Sequence, residues 1–324
     1  MNPKNINISE ISKYLKTEKI KVSVFGEFNS GKTTFLNALI NENILTVAYV
    51  PTTAVPTRIR YAKTFNILVY KLSDKTIKLY SDDKEDGTWR RYIGRGSGTN
   101  ILGLLEKKNK AIQTFLSKWT KEGNNATEVK EVIIELPLEW LKSGIELIDT
   151  PGTNNEYTVH RMFTESVAQE TDIAIMLLDA RQGGGKKTEL EFMNDVNRFV
   201  HESVVVANFM DCLDVEERED IMQYIRSESI PKHWGNPIFP EIYGISAQLQ
   251  LAELETENKE ELKNNFVSLV NNLKTITDKK RGSILLQRLG SPEKKIYTKA
   301  KKMEKSNLDD DLTEAIIGYE DLRD

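Results

Sequence analysis

The sequence predicts an α/β fold in which a doubly wound, mostly parallel sheet carries helices on both faces. Residues 26–33 fit G-x-x-x-x-G-K-[ST], a phosphate-binding loop, and stand between a strand-like and a helix-like segment. In the second half of the chain, strand-like and helix-like segments alternate, as in parallel sheets with helical crossovers. Residues 173–178 form a near-continuous apolar run, which is typical of a buried parallel strand. These features predict a P-loop NTPase fold with short flanking helices.

The loop at 26–33 has residue types that suit phosphate binding. Residues 19–25 before it alternate as a strand does, and residues 34–40 after it have helical spacing. Glycines let backbone N–H groups point at phosphate oxygens, and the helix adds its positive end. Lys32 would reach the β- and γ-phosphates, and the Thr33 hydroxyl would bind Mg²⁺. We therefore predict that the nucleotide site includes Gly26, Asn29, Ser30, Gly31, Lys32, Thr33 and Thr34.

Composition bounds the class of protein. The chain has 324 residues, is 39% hydrophobic and has a net charge of −4, so it can form a large core and has no bulk charge for nucleic acid. The single cysteine, Cys212, excludes an internal disulfide framework and suits a reducing compartment. The polar N-terminus lacks the apolar stretch of a secretory signal, and no apolar run approaches membrane-spanning length. We expect a cytoplasmic protein.

Periodicity and turn residues divide the chain into elements. Apolar spacing predicts an N-terminal helix over 1–17 and further helices over 104–119, 188–200, 215–228 and 260–273. Alternating or continuous apolar residues predict strands at 65–72, 76–81, 129–136, 145–148, 173–178, 203–208 and 238–245. Loops are expected at 49–57, which is rich in Thr and Pro, and at 82–99, which has four glycines. The polar segment 281–324 is expected to form two helices.

A second motif, Asp149-Thr150-Pro151-Gly152, follows the apolar strand at 145–148. A carboxylate at this position can hold the Mg²⁺ shell, directly or through water. Gly152 has no side chain, so its N–H can approach a γ-phosphate. After a phosphate-binding loop, this motif indicates a GTPase of the translation-factor-related class.

A third motif, Asn208-Phe209-Met210-Asp211, departs from the guanine-reading pattern N-K-x-D at one position. The Asp of that pattern accepts hydrogen bonds from guanine N1–H and the 2-amino group, which adenine cannot match. We hypothesise that Asp211 preserves guanine preference and that Phe209 stacks where the lysine stem lies; a chance N-x-x-D in a loop is the alternative. Ser246 and Ala247, after the last strand, match the motif whose N–H groups meet the base oxygen.

These motifs resemble the enlarged G domain of the dynamin superfamily, especially its bacterial members. Residues 34–148 separate the first two motifs, far more than in small GTPases, and this insertion holds a hairpin, a loop and a helix. The amino-acid sequences of segments 26–39, 51–61 and 149–164 support the resemblance, which spans roughly residues 18–280. It implies a dynamin-type G domain over 18–280. The N-terminal helix (1–17) and the C-terminal helical segment (281–324) flank this domain, and the C-terminal segment is expected to form part of a small bundle or the start of a missing stalk.

The resemblance also implies roles for individual residues. Thr53 resembles the switch threonine that closes over Mg²⁺ and the γ-phosphate, with Thr52 as the alternative one position away. Asn29 occupies the position that helps bind K⁺ in potassium-activated GTPases, where paired G domains and the cation replace an arginine finger. Phe28 stands where animal dynamins have a water-positioning Gln. Lys32, Thr53, Asn29 and Gly152 are the candidate catalytic residues, and Thr33, Thr53 and Asp149 are the candidate Mg²⁺ ligands.

The resulting expectation is a Mg²⁺-dependent GTPase that binds GTP and GDP, is activated by G-domain dimerisation and is coupled to membrane remodelling or assembly. Its partner would be a second copy or another dynamin-like protein. The rival hypotheses are a nucleotide-gated scaffold that hydrolyses little, and an ATPase. A cluster of lysines next to a weak apolar stripe predicts either peripheral membrane contact or a solvated helix face: Lys294, Lys295, Lys299, Lys301, Lys302 and Lys305.

Overall fold

A computed structural model describes residues 8–27, 29–45, 57–73, 76–80, 109–117, 128–149, 167–234, 239–252 and 256–288. Within these ranges the backbone forms a nine-stranded sheet. Its strands are β1 (Ile20–Phe25), β2 (Thr57–Tyr61), β3 (Asn66–Lys71), β4 (Thr76–Tyr80), β5 (Val129–Leu136), β6 (Ile145–Asp149), β7 (Ile173–Asp179), β8 (Glu202–Asn208) and β9 (Glu241–Gly244).

Helices accompany the strands along the described segments. They are α1 (Ile8–Thr17), α2 (Lys32–Ile40), α3 (109–117), α4 (Lys187–Asn197), α5 (Val215–Tyr224), the single turn α6 (Gln248–Leu251) and α7 (Lys259–Arg288). Helix α5 continues through a π-helical stretch, Ile225–Ser229, into one more turn, Ile230–His233. An Asp214 capping box with Glu217 fixes the start of α5. No helix in these segments has the length and apolar character needed to cross a bilayer.

The strand order is β4-β3-β5-β2-β6-β1-β7-β8-β9. Strands β6, β1, β7, β8 and β9 are mutually parallel, and β2 joins them antiparallel to β6. Strand β5 is parallel to β2, and the β3–β4 hairpin adds to β5. The predicted doubly wound, mostly parallel sheet is confirmed, and the insertion after β1 extends it on one side.

Two hydrophobic cores lie on opposite faces of the sheet. Ile173, Ile175 and Leu177 of β7 pack into one core with α2 and α7, while Ala174 and Met176 pack into the other with α4. A parallel strand buried on both faces has no polar side to present, which is why the sequence of β7 reads as an unbroken apolar run.

Strand β2 is absent from the elements predicted from the sequence, which placed residues up to 57 in a loop. Its sequence, Thr-Arg-Ile-Arg-Tyr, gives one fully buried apolar side chain, Ile59, between two arginines. The arginines lie on the other face, where carboxylates from neighbouring elements pair with them. A local pattern cannot reveal that these charges have partners, so the strand was missed.

Arg58 is the centre of this ion-pair network. Its Nε donates to Glu131 of β5 at 2.9 Å, and its two terminal nitrogens donate to Glu146 of β6 at 3.0 Å and Glu170 at 2.9 Å. The Arg58 side chain is only 16% exposed and that of Glu146 only 9%. Arg58 is therefore a structural residue that joins β5 and β6 to the helical turn at 167–170. Its charge is neither solvated nor unpaired.

Arg58→Ala is expected to lower the free energy of unfolding by about 3 kcal/mol, because it leaves the buried Glu146 carboxylate without its cation. Arg60→Ala is the matched control on the same face of β2. Arg60 pairs with Glu135, which keeps a hydrogen bond from Asn66 Nδ2, so its loss should cost about 1 kcal/mol. Urea unfolding of the two variants measures the difference, and equal losses would contradict the central role of Arg58.

Helix α7 is longer than the helix predicted at 260–273, and it passes through residue 280, where we expected the G domain to end. Two arginines near its end attach it to α1 and to the residues that immediately precede β1 and β7. Arg281 donates to the backbone carbonyls of Leu15 and Glu18, and Arg288 donates to Lys19 O and the Asp172 carboxylate. The expected helices beyond residue 288 and the lysine cluster at 294–305 lie outside the described residues.

Candidate nucleotide site

The candidate site lies where the carboxyl ends of four parallel strands meet. In the sheet register, Val24 of β1 pairs with Asp149, and Asp179 of β7 pairs with Asn208 of β8. Because these strands are parallel, the loops that follow them emerge at one edge of the sheet. The sheet therefore brings together the phosphate-loop motif, Asp149 and the Asn208–Asp211 motif, which are far apart in sequence.

The phosphate-binding loop passes close to its neighbours at two glycines. Gly31 caps α2 with φ +87°, and a Cβ there would lie 2.5 Å from Asn208 Nδ2. A Cβ on Gly26 would lie 2.6 Å from the carbonyl oxygen of Leu177. Asn29 also has a left-handed backbone, with φ +67°, which Asn tolerates better than most residues. The motif glycines are required by packing as well as by backbone conformation.

Lys32 is buried and its side chain is turned back over the loop. Its Nζ donates to the carbonyl oxygens of Gly26 at 2.8 Å and Glu27 at 2.6 Å, and Ser30 Oγ donates to Glu27 O at 2.9 Å. Burial lowers the pKa of Lys32 to about 8, although the nearby Asp149 carboxylate opposes the shift. The loop thus holds a cation whose charge is poorly compensated by the protein, as expected of a group that binds phosphate.

Asp149 is a buried anion beside the buried cation of Lys32. It is 6% exposed, and burial raises its pKa to about 6, with the positive charge of Lys32 opposing the shift. The Thr33 hydroxyl and the Asp149 carboxylate are oxygen donors of the kind that Mg²⁺ prefers. Among the residues that the structure covers, no group of three or more His, Cys, Asp or Glu side chains could hold a metal ion. The pair of donors from Thr33 and Asp149 fits Mg²⁺, because this ion usually takes its remaining ligands from water and from substrate phosphate oxygens.

Asn208 joins the phosphate side of the site to the base side. Its Nδ2 donates to Ser30 O at 3.2 Å, and its Oδ1 accepts the Ala247 N–H at 3.0 Å. The residue is 1% exposed, so both bonds are shielded from water. Ser246 is fully buried, and its Oγ accepts the N–H of Leu249 at the start of α6. One side chain therefore sets the spacing between the loop at 26–33 and the loop at 245–247.

Asp211 carries an oxygen without a partner. Its Oδ1 is buried and accepts no hydrogen bond. Buried carboxylate oxygens are normally paired, so an orphaned one suggests a missing ligand group. The backbone around Asp211 is well supported: Met210 N–H donates to Ile245 O at 3.1 Å, and Thr256 Oγ1 donates to Asp211 O at 3.4 Å.

Arg218 of α5 supports the same loop and was missed by sequence reasoning. Arg218 is buried, with 7% of its surface exposed, and its hydrogen bonds go mainly to backbone carbonyl groups. Its Nε donates to Met210 O at 2.7 Å, and its NH1 donates to Glu257 O at 2.7 Å. Its NH2 donates to Thr256 Oγ1 at 2.8 Å. In the sequence it stands among acidic residues and looks like surface charge. Only the folded chain brings these oxygens around it.

Two glutamates, Glu27 in the loop and Glu189 behind it, were also missed. The Glu27 carboxylate accepts from Lys186 Nζ at 3.0 Å and Thr188 Oγ1 at 3.3 Å, which attaches the loop to the start of α4. Glu189 is 3% exposed and its Oε1 has no hydrogen-bond partner. Burial raises the pKa of Glu189 to about 7, and the negative charge of Glu27 adds to the shift. An acidic pattern at a helix start gives no sign of such burial.

Glu189→Gln is expected to stabilise the nucleotide-free protein at pH 8 but not at pH 5. The raised pKa means that the folded state holds the proton more tightly than the unfolded chain, so stability present at low pH is lost as the pH rises through 7. The gap in unfolding free energy between variant and wild type should widen by about 2 kcal/mol between pH 5 and pH 8. Glu191→Gln, on the exposed side of α4, is the control, and a gap that stays constant with pH would contradict the prediction.

The structure brings together part of the predicted site. Gly26, Asn29–Thr34, Asp149, Asn208, Asp211, Ser246 and Ala247 all lie at this edge of the sheet. The expected switch residues Thr52 and Thr53 and the γ-phosphate contact Gly152 lie outside the described residues, and so does Phe28, which replaces the water-positioning Gln.

Comparison with known proteins gives concordant matches. The sequence profile of the Dynamin family matches residues 22–210. Dynamin-like protein 2 of Campylobacter jejuni subsp. jejuni serotype O:23/36 (strain 81-176) is 27% identical over 255 residues, covering 78% of this chain and 34% of that protein. Dynamin-like protein 1 of the same strain is 24% identical over 216 residues, covering 64% and 30%. The chain thus spans about a third of the length of these relatives.

A solved structure has the same fold. A chain of an oligomerised bacterial dynamin pair matches with a TM-score of 0.53 and 19% identity, over 90% of this chain and 39% of that chain. That pair is described as a mechanism for the long-range sensing and tethering of membranes.

Proposed function

The chain belongs to the dynamin family, and on that premise we propose that it binds GTP and GDP at this site and hydrolyses GTP in a Mg²⁺-dependent reaction. The observation that carries the proposal is the Asn208 bridge together with the orphaned Asp211 Oδ1. The bridge fixes a phosphate-binding loop beside a loop whose buried carboxylate oxygen lacks a donor. Guanine offers two adjacent N–H donors that would satisfy that oxygen.

The reaction would be in-line attack of water on the γ-phosphate, for which positioning and electrostatics supply most of the catalysis. Lys32 and the N–H groups of the loop would neutralise phosphate charge, and the Gly152 N–H would contact the γ-phosphate. Thr33, Asp149 and Thr53 would hold Mg²⁺, which neutralises charge on the β- and γ-phosphates when bound. The low pKa of Lys32 supports this role, because a triphosphate would compensate the buried cation.

We further propose that catalysis needs a paired G domain. Asn29 lies in the exposed part of the loop, where it would help bind K⁺ once a second G domain closes the site. The cation would then replace an arginine finger. Arg58 is not available for that role, because its guanidinium is held by three carboxylates.

The partner would be a second copy of this chain or another dynamin-like protein, and the similarity to an oligomerised bacterial dynamin pair supports this proposal. We place the protein in the cytoplasm with peripheral contact to a membrane. In this proposal, residues 18–280 form the G domain, between an N-terminal helix and a C-terminal helical segment. The rival function is a nucleotide-gated scaffold with little hydrolysis, which the substitution of Phe209 for the motif lysine favours.

Phosphate release from GTP and from ATP tests the proposal. It should be measured over a range of protein concentrations, in potassium and in sodium. We expect release from GTP, a rate per molecule that rises with protein concentration, and a higher rate in potassium. Tight GTP binding without release, alone or with a dynamin-like partner, would favour the scaffold. Equal release from both nucleotides would contradict guanine selection.

A further inference from the structure

Phe209 is held in a conformation that needs an explanation. Its φ is +69°, in the left-handed region that residues with a Cβ rarely adopt. Such a backbone costs about 1–2 kcal/mol, so the placement of the ring is maintained against an energetic penalty. Conformations of this kind concentrate at functional sites.

The ring of Phe209 reaches from the base side of the site to the phosphate loop. A Cβ built on Gly31 would lie 3.1 Å from its Cζ and 3.5 Å from its Cε2. The ring edge is thus in van der Waals range of the loop, between Gly31 and the backbone that carries Asp211. Phe209 is only half-buried, so part of the ring remains accessible.

Arg181 covers the ring. Its guanidinium carbon lies 3.8 Å from the ring centroid, which is a close cation–π contact. The guanidinium is fixed by two parallel hydrogen bonds to Asp179: Nε to Oδ1 at 2.9 Å and NH2 to Oδ2 at 2.7 Å. Gln182 Nε2 also donates to Asp179 Oδ2, at 3.0 Å. A bidentate pair of this kind fixes the orientation of the planar Arg181 guanidinium.

The electrostatic contacts of the Arg181 guanidinium place it on the base side of the site. Burial raises the pKa of Asp179, but the hydrogen bonds from Arg181 and Gln182 outweigh it and leave that pKa lowered. The hydrogen bond to Asp179 and the negative charge of Asp179 raise the pKa of Arg181, and the negative charge of Asp211 adds to the shift. Arg181 therefore lies within electrostatic reach of the carboxylate expected to read the base.

We propose that the Phe209 ring is the surface on which the purine base stacks and that Arg181, held by Asp179, is the residue that positions the ring. The pair replaces the lysine of the N-K-x-D motif. Stacking on an aromatic ring tolerates either purine, so discrimination of guanine from adenine is left to Asp211. This inference rests on the proposed nucleotide function and adds the stacking and positioning residues to it.

The test compares ligands with and without a base. The 324-residue chain and its variants are titrated, in the presence of Mg²⁺, with GTP and with inorganic tripolyphosphate. We expect Phe209→Ala to weaken GTP binding by about 10- to 100-fold and Arg181→Ala by about fivefold. Binding of tripolyphosphate should stay within about twofold of wild type, because it has no base to stack. Arg198→Ala is the control, because Arg198 is an exposed arginine immediately after α4.

A double variant separates positioning from general structural support. Phe209→Lys restores the motif residue and removes the ring, so Arg181→Ala should have no further effect on GTP affinity in that background. An equal fivefold loss there, or a parallel loss of tripolyphosphate binding, would overturn the role of Arg181. Unchanged or tighter GTP binding by Arg181→Ala would do the same, while leaving the GTPase proposal intact. Failure of the wild-type protein to bind any purine nucleotide would overturn both.

Discussion

Lys32→Met is expected to reduce GTP hydrolysis to less than about one-hundredth of the wild-type rate and to weaken triphosphate binding strongly. Methionine keeps the aliphatic volume but removes the charge that Gly26 O and Glu27 O hold over the phosphate loop. In a buried site, loss of a cation aimed at phosphate costs far more than loss of an exposed one. Phosphate release and GTP titration measure the two effects.

The same substitution should leave the nucleotide-free protein about as stable as the wild type. Burial lowers the pKa of Lys32 to about 8, which means that the buried positive charge opposes folding. Removing that charge therefore offsets the loss of the two hydrogen bonds to Gly26 O and Glu27 O. Lys186→Met is the matched control: this lysine also lies beside the loop, paired with Glu27, but it is 54% exposed. Hydrolysis by Lys32→Met at more than one-tenth of the wild-type rate would contradict the assigned role.

Asn208→Ala is expected to damage both stability and nucleotide binding. The substitution leaves Ser30 O and the Ala247 N–H without partners in a place where water is excluded. Each unsatisfied group costs about 1–3 kcal/mol, so we expect a loss of about 2–4 kcal/mol in unfolding free energy. GTP affinity should fall by about 100-fold, because the phosphate loop and the base loop lose their common anchor. Urea unfolding and GTP titration measure the two losses.

Asn197→Ala is the control at the opposite end of β8, where Asn197 Oδ1 accepts the Ser203 hydroxyl at 2.9 Å. It should lower stability slightly and leave GTP affinity unchanged. Asn208→Asp gives a finer test, because it keeps the acceptor for Ala247 but sets a second oxygen against Ser30 O. It should still weaken GTP binding, and GTP affinity within threefold of wild type in both Asn208 variants would disprove the bridging role.

The fold was predictable where local pattern and tertiary role coincide. Strand β7 and most of β8 are buried on both faces, and their apolar runs report this directly, while the alternation of β1 is enough to mark it as a strand. Strand β2 was not predictable, because its arginines are matched by glutamates from three other elements. Likewise, nothing local marks the extension of α7 beyond residue 273, which ends in contacts of Arg288 with Lys19 and Asp172.

The site divides in the same way. The phosphate-loop residues and the Asn208–Asp211 motif are short patterns whose chemistry is legible from the sequence. Arg181, Arg218 and Glu189 act through partners that only the folded chain supplies: an aromatic ring, backbone carbonyls and a buried position behind the loop. The one local signal that could have indicated the Arg181 site is Asp179, an aspartate at the very end of the buried strand β7.

Base selection by Asp211 tests the central claim most directly. The affinities of GTP, ATP and xanthosine triphosphate should be measured for the wild type and for Asp211→Asn, whose amide can donate to the carbonyl that xanthine carries in place of the 2-amino group. We expect the wild type to bind GTP at least about tenfold more tightly than the other two, and the variant to prefer xanthosine triphosphate by a similar factor. Equal affinity of the wild type for GTP and ATP, or an unchanged preference in Asp211→Asn, would contradict the account.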